Sequence, residues 1–219
     1  DLHSFPTRRS SDLHSRKGTQ IDKVMEYLSD IGRAAILVRE PGGTELSEQI
    51  REMLLQNEFA ISPMSELLLF LSARAELISK VIRPALESGK DVVCDRYMDS
   101  TIAYQGYGRG LLSEAISLND IATGSLVPDI TFFLDISHDE CYKRRVSRDK
   151  EQGSQCDRLE SENDEFHSKV YEGYKILAKE NSDRIFTIDG CRDEQKITED
   201  ILSILKSGMD YGDRSEEHT

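Results

Sequence analysis

The chain has 219 residues, with 28 lysines and arginines against 41 aspartates and glutamates, giving a formal net charge of −13. This length suits one sizeable α/β domain and is short for two, and the acidic balance excludes non-specific binding to nucleic acid or an anionic membrane, both of which need positive field. No apolar run approaches the roughly 20 residues of a membrane span, no signal peptide is visible, and the four scattered cysteines (Cys94, Cys141, Cys156, Cys191) read as free thiols of a reducing cytoplasm rather than as a zinc site.

In chain order, DLHSFPTRRSSDL (1–13) has no usable periodicity, and RSEEHT (214–219) closes the chain equally abruptly. One back-translation of Ser-Ser-Asp-Leu, taken with the bases preceding it, has a reverse complement that reads Arg-Ser-Glu-Glu. Both ends thus resemble translated sequencing-adapter DNA, and the expectation is that 14–213 form the domain. Ile21, Val24, Met25 and Leu28 predict a helix over 18–31, stopping before Gly32. AAILVRE (34–40) is a short apolar run followed by charge, as a buried parallel strand reads when its C-terminal end opens on a site. PGGT (41–44) is a turn, followed by a helix over about 45–56 and a long amphipathic helix over 64–87 with Pro84 near its end. DVVCDR (91–96), DITFFLDI (129–136) and RIFTIDG (184–190) read as further strands, and a last helix is expected near 193–207. The alternation predicts a parallel sheet flanked by helices. A strand ahead of the first helix, which doubly wound nucleotide-binding folds place before their phosphate loop, is not legible.

Several stretches carry chemistry. HSRKGTQ (14–20) has the tail of a phosphate-binding loop, G-x-x-x-x-G-K-[ST], with Lys17 at the lysine position and Thr19 one residue past the usual hydroxyl. Arg16 replaces the last glycine and the earlier glycine is absent. In LVREPGGTELSEQIREML (37–54), Arg39 leaves a strand end and Arg51 follows on the next helix, a pair of guanidiniums suited to gripping a phosphate monoester. DVVCDRYMDSTIAYQGYGRGL (91–111) ends a strand in Asp95, a carboxylate placed to hold Mg²⁺ directly or through water. Arg96 follows, within reach of a phosphate, and Tyr104 and Gln105 offer an aromatic wall and an amide beside Gly106, Gly108 and Gly110. Phe70 and Arg74 lie four residues apart on one helix face, able to stack on a planar base and donate to its carbonyl edge. Arg144, Arg145, Arg148 and Arg158, between a strand and a helix, suit a mobile lid that closes over phosphates.

REPGGT, DRYMDSTIAYQG and CDRLE, in this order and spacing, resemble the thymidylate kinases, P-loop nucleoside-monophosphate kinases, over about residues 15–207. The resemblance implies a five-stranded parallel sheet of the P-loop NTPase type, here with its first strand missing or replaced. It also implies Mg²⁺- and ATP-dependent phosphorylation of dTMP to dTDP in deoxynucleotide biosynthesis, by a cytoplasmic homodimer. Under it, Lys17, Gly18, Thr19, Arg144 and Arg148 bind ATP. Arg39, Phe70, Arg74, Arg96, Ser100, Tyr104 and Gln105 bind dTMP, with Tyr104 crowding the sugar 2′ position. Asp95 positions the metal, Lys17, Asp95, Arg96 and Arg148 are catalytic, and Arg148 belongs to a lid spanning about 141–160. The incomplete glycine loop puts the activity of this chain in question. Another P-loop nucleotide kinase, or a non-catalytic nucleotide-binding or dimerisation module, remain the competing readings.

Overall fold

The computed structural model describes residues 2–4, 14–56, 60–136 and 157–216. Five parallel strands form one sheet: Leu2–Ser4 (β1), Ala35–Arg39 (β2), Asp91–Asp95 (β3), Ile130–Asp135 (β4) and Ile185–Asp189 (β5), in the order β2-β3-β1-β4-β5. The helices are His14–Asp30 (α1), Glu45–Leu55 (α2), Pro63–Leu77 (α3), Arg83–Glu87 (α4), Met98–Thr101 (α5), Leu112–Thr123 (α6), Asp164–Glu180 (α7) and Glu194–Glu216 (α8). π-helical segments join α3 to α4 (Ile78–Ile82) and follow α5 (Ile102–Gly108). Four strands and the α3–α4 run lie where the apolar periodicity predicts them.

The exclusion of residues 1–13 from the fold gives way at Leu2–Ser4. This segment fills the centre of the sheet, with Leu2 in register with Val92 and His3 with both Val93 and Ile130. The reason is a backbone one. An empty slot between β3 and β4 would leave two buried rows of N–H and C=O groups unpaired, and any extended segment able to reach them satisfies them without regard to its side chains. Residues 5–13 lie outside the described residues, as do 217–219. The expected C-terminal break at 207 is also corrected, because α8 continues to Glu216.

Local signals set the helix ends. Thr44 caps α2 by accepting from the Ser47 N–H, Ser62 caps α3 ahead of Pro63, and Asn163 caps α7 by accepting from the Phe166 N–H. Pro84, which has no N–H to donate, stands just past the π-helical turn at Ile78–Ile82. The sheet buries both faces. Val93, Phe132, Leu134 and Ile188 pack on Val24, Leu28, Ile197 and Ile201 of α1 and α8. On the other face Val92 and Cys94 meet Leu77, Ile78 and Ile82, and Phe133 meets Tyr174 of α7. Val92 and Val93 thus serve opposite faces, as the period of two requires. Two glycines let α7 close on the second π-helical segment. A Cβ at Gly108 would lie 2.6 Å from Phe166, and one at Gly173 would lie 2.7 Å from Tyr107.

Candidate active site

The C-terminal ends of β2 and β3 open into a cleft walled by α3, the Ser100–Gln105 stretch and the segment entering α7. Ligands collect at this edge of a parallel sheet because strand ends present side chains where helices no longer cover them. Lys17, Arg39, Phe70, Arg74, Asp95, Arg96, Ser100, Tyr104 and Gln105 all line it. These residues are scattered over 89 positions of sequence only because they belong to different strand ends and helices (17 to 105).

At its floor the Lys17 ammonium sits 2.5 Å from Asp95 Oδ1. Burial, and after it the charge of Arg96, push Lys17 down from the ordinary 10.5 to about 8, although Asp95 pulls the other way. Arg96, the residue after β3, has a φ of 72°, a left-handed backbone that a side chain rarely adopts. Its guanidinium lies 5.4 Å from the centre of the Tyr104 ring. Burial works against that charge, but the phenol oxygens of Tyr104 and Tyr174 and the Asp95 carboxylate outweigh it and push Arg96 up. Tyr104 is itself fixed edge-on by Phe166 and Tyr174, and Tyr174 donates its hydroxyl to Ser100 Oγ at 3.0 Å.

At the rim, Arg39 is half exposed and meets Glu48 at 3.3 Å. Glu48 also accepts from the Gly43 N–H at 2.8 Å, while Arg51 donates to the Pro41 carbonyl at 3.0 Å. Phe70 and Arg74 share the face of α3 that the four-residue spacing predicts, but Arg74 is far more committed than the sequence suggested. It is buried, donating from Nε and Nη2 to Glu40 Oε2 at 2.7 and 2.5 Å, and from Nη1 to Thr101 Oγ1 at 2.8 Å and Asn119 Oδ1 at 2.7 Å. A guanidinium has five N–H groups and these bonds use four, so one on Nη2 remains, on a residue that lines the cleft.

Other expected residues lie elsewhere. Gly18 and Thr19 belong to α1, which begins at His14, and do not line the cleft. Arg144, Arg145 and Arg148 lie outside the described residues. Arg158 is corrected from a lid arginine to a tie. Its backbone N–H and Nε donate to the carbonyls of Leu55 and Leu54, and its Nη1 is 2.7 Å from Glu66 Oε2. With these partners it is anchored to α2 and α3 rather than available to transferring phosphates.

Sequence reading passed over Glu66, Thr101, Asn119, Asp157 and His167, and placed Glu40 at the strand end without its partner Arg74. Glu40 had a signal. An arginine on the apolar face of α3 demands a carboxylate, and the nearest strand end supplies one. His167 had none, because only the α7 packing brings it to the cleft. Among the described residues no group of three or more His, Cys, Asp or Glu side chains gathers to hold a metal. That arrangement still suits Mg²⁺, which keeps waters and substrate phosphates as most of its ligands and needs one or two carboxylates, as Asp95 provides.

The family model described as thymidylate kinase matches residues 15–201. The thymidylate kinase of Chlorobaculum tepidum is 44% identical over 194 residues, covering 86% of this chain and 91% of that protein. That of Caldanaerobacter subterraneus subsp. tengcongensis is 46% identical over 178 residues, covering 81% and 83%. Among solved structures, thymidylate kinase from Ehrlichia chaffeensis superposes with a TM-score of 0.73 at 33% identity, covering 94% of this chain and 97% of that one.

Proposed function

The chain belongs to the thymidylate kinase family, phosphotransferases that move the terminal phosphoryl group of ATP to dTMP, and we propose on that premise which of its residues serve each substrate. The observation that carries the assignment is the single cleft in which Lys17 and Asp95 meet Arg39, Arg96, Phe70 and Arg74. Arg39 and Arg96 grip the dTMP phosphate. One of its oxygens attacks the γ-phosphorus of ATP as the bond to the β-phosphate oxygen breaks, so dTDP and ADP leave. Phe70 stacks on thymine, the remaining Arg74 N–H meets its carbonyl, and Ser100, Tyr104 and Gln105 close around the nucleoside, Tyr104 against the 2′ position. Lys17 spans the outer phosphates of ATP, with Gly18 and Thr19 in the helix behind it, and Arg144 and Arg148 serve the donor from the segment that follows β4. Mg²⁺, held through Asp95, would neutralise charge between the donor phosphates.

The kinase domain takes in Leu2–Ser4 as the central strand along with the chain from 14 onward, and the lid is assigned to about 141–160, of which 141–156 lie outside the described residues. Exposed Leu68 on α3 and Ile116 and Ile121 on α6 support a homodimer. The protein works in the cytoplasm with small nucleotides, and no described helix is long and apolar enough to cross a membrane. The test is dTMP-dependent ADP release, compared between this chain and one with a glycine loop restored over residues 5–16. Release with dTMP but not with dAMP or dCMP supports the assignment. Folded protein of both kinds that releases nothing overturns it.

Two variants probe single roles. Arg39→Ala is expected to raise the KM for dTMP about 10–100-fold, the worth of one or two hydrogen bonds to a charged group, with a smaller change in kcat. Steady-state kinetics on the loop-restored chain reads this, and an unchanged KM removes Arg39 from the phosphate site. Lys17 gives a pH signature. Its folded pKa lies below the unfolded one, so the folded state holds less proton between about pH 8 and 10.5, and the Lys17 contribution to stability rises with pH across that window. Polyphosphate beside the ammonium restores the proton. ATP binding near pH 8.5 is therefore expected to take up a substantial fraction of one proton, roughly 0.5 or more. Calorimetry in buffers of different ionisation heat measures the uptake, and Lys17→Met abolishes it. Uptake that survives this substitution assigns the proton to another group.

A further inference from the structure

Glu66 stands in the first turn of α3 with no solvent exposure, and four donors converge on it. Its Oε1 accepts from Gln105 Nε2 at 3.0 Å and Arg109 Nε at 3.0 Å, and its Oε2 accepts from Arg109 Nη2 at 2.9 Å and Arg158 Nη1 at 2.7 Å. Arg109 is held in turn by Glu162 at 2.6 Å. Burial alone would raise the Glu66 carboxyl, but the hydrogen bonds from Arg109 and Gln105 and the charges of Arg109 and Arg158 more than offset it, and the group is lowered.

An ionised carboxylate accepts and cannot donate. Of the two ends of the Gln105 amide, which are nearly the same shape, only the NH₂ can therefore face Glu66. The amide is fixed end for end, and the atom left to a ligand is the carbonyl oxygen. That oxygen accepts from no donor among the described residues, and Gln105 lines the cleft beside Phe70 and Arg74. A thymine edge carries an N3–H donor beside its O4 acceptor, whereas cytosine carries an N3 acceptor beside an amino donor. An acceptor at Gln105 next to the spare N–H of Arg74 pairs with the first edge and opposes the second.

We propose that Glu66, though it touches no substrate, is a specificity-determining positioning residue: it locks the Gln105 amide with its oxygen toward the base and so selects thymine over cytosine. The inference rests on the assignment of dTMP to this cleft. With Glu66→Gln the neighbouring amide can offer either end, so Gln105 is free to turn.

The experiment is calorimetric binding of dTMP and dCMP to the full chain, which needs no turnover. The parent binds dTMP more tightly than dCMP. In E66Q the ratio of the two dissociation constants falls by at least about tenfold, because a site built around one donor loses its preference once its acceptor can rotate. Glu66→Asp keeps the charge and holds the ratio within about threefold of the parent, even where overall affinity drops. A purely structural role moves both nucleotides together, so an unchanged ratio in E66Q overturns the proposal. Should E66Q not fold, E66Q/R158M, which also removes the guanidinium left without its carboxylate, is read against R158M in the same way. A folded parent that binds dTMP no better than dCMP overturns the site assignment itself, and this inference with it.

Discussion

Restoring a glycine loop over residues 5–16 is expected to raise kcat for dTMP phosphorylation by at least about 10²–10³-fold, with a smaller gain in apparent ATP affinity. The loop in question must turn its backbone N–H groups onto phosphate oxygens, and residues there need backbone conformations and close approaches open mainly to glycine. Between Ser4 and Lys17 the chain has no glycine, and it places Pro6, Arg8, Arg9 and Arg16 there instead. α1 already begins at His14, so Lys17 lies in its first turn. The unpaired N–H groups of that turn retain some attraction for phosphate, which is why binding recovers less than turnover. Losing one preorganised donor typically costs about 10²–10³ in kcat, and a loop supplies several. Lys17→Met in the restored chain is expected to return the rate to near the parent's. A restored, folded chain no faster than the parent within about threefold would show that the glycine cradle is not what limits this protein.

The sequence foreshadowed the residues that gather at the ends of β2 and β3 better than the packing around them, and the reason lies in how each is built. Arg39, Asp95 and Arg96 stand where apolar strands run out, and a change from buried to charged residues marks such ends in any sequence. Phe70 and Arg74 follow from helical spacing alone. By contrast, residues 98–108 carry no periodic signal for an element, with Gly106 and Gly108 among them, yet they coil into α5 and a π-helical turn. Those glycines record close contact with Leu112 and Phe166, which local sequence does not encode. α7 is absent from the elements read in the sequence although Phe166, Val170, Tyr174 and Leu177 fall at helical spacing, and its role in bringing His167 to the cleft depends on that same contact. Arg158 was misassigned because an arginine-rich run looks uniform until its partners are known, and Glu66 lies more than 90 positions away (66 to 158). β1 was illegible for a different reason. A three-residue strand paired on both sides draws on its backbone, and backbone hydrogen bonds leave no pattern of residue types.

Arg74→Leu is expected to destabilise the fold by about 3–5 kcal/mol, lowering the thermal midpoint by roughly 6–20 °C. The substitution fits the volume of the apolar α3 face but strips the buried Glu40 carboxylate of its one ion pair among the described residues, together with partners for Thr101 and Asn119. Burial alone would lower Arg74; the charge of Glu40 and the hydrogen bond it accepts push it up instead, so the guanidinium is charged at every working pH. Burial already raises the Glu40 carboxyl beside Arg74, so without that partner it must either take up a proton or stay a buried anion, and both outcomes cost stability. Against a typical stability of about 5–15 kcal/mol this is a large fraction. Arg39 supplies the contrast. Its half-exposed pair with Glu48, at 3.3 Å, contributes at most about 1 kcal/mol, so Arg39→Ala lowers dTMP affinity while leaving the melting curve almost in place. Glu40→Leu combined with Arg74→Leu recovers much of the lost stability, because two apolar side chains replace a buried ion pair at little net cost. It does not recover dTMP binding, since the donor to the base stays absent. Thermal denaturation beside nucleotide titration separates these outcomes. If Arg74→Leu melts no earlier than Arg39→Ala, the Glu40–Arg74 pair is solvated rather than buried, and the rigid wall it gives the base site must come from the α3 packing alone.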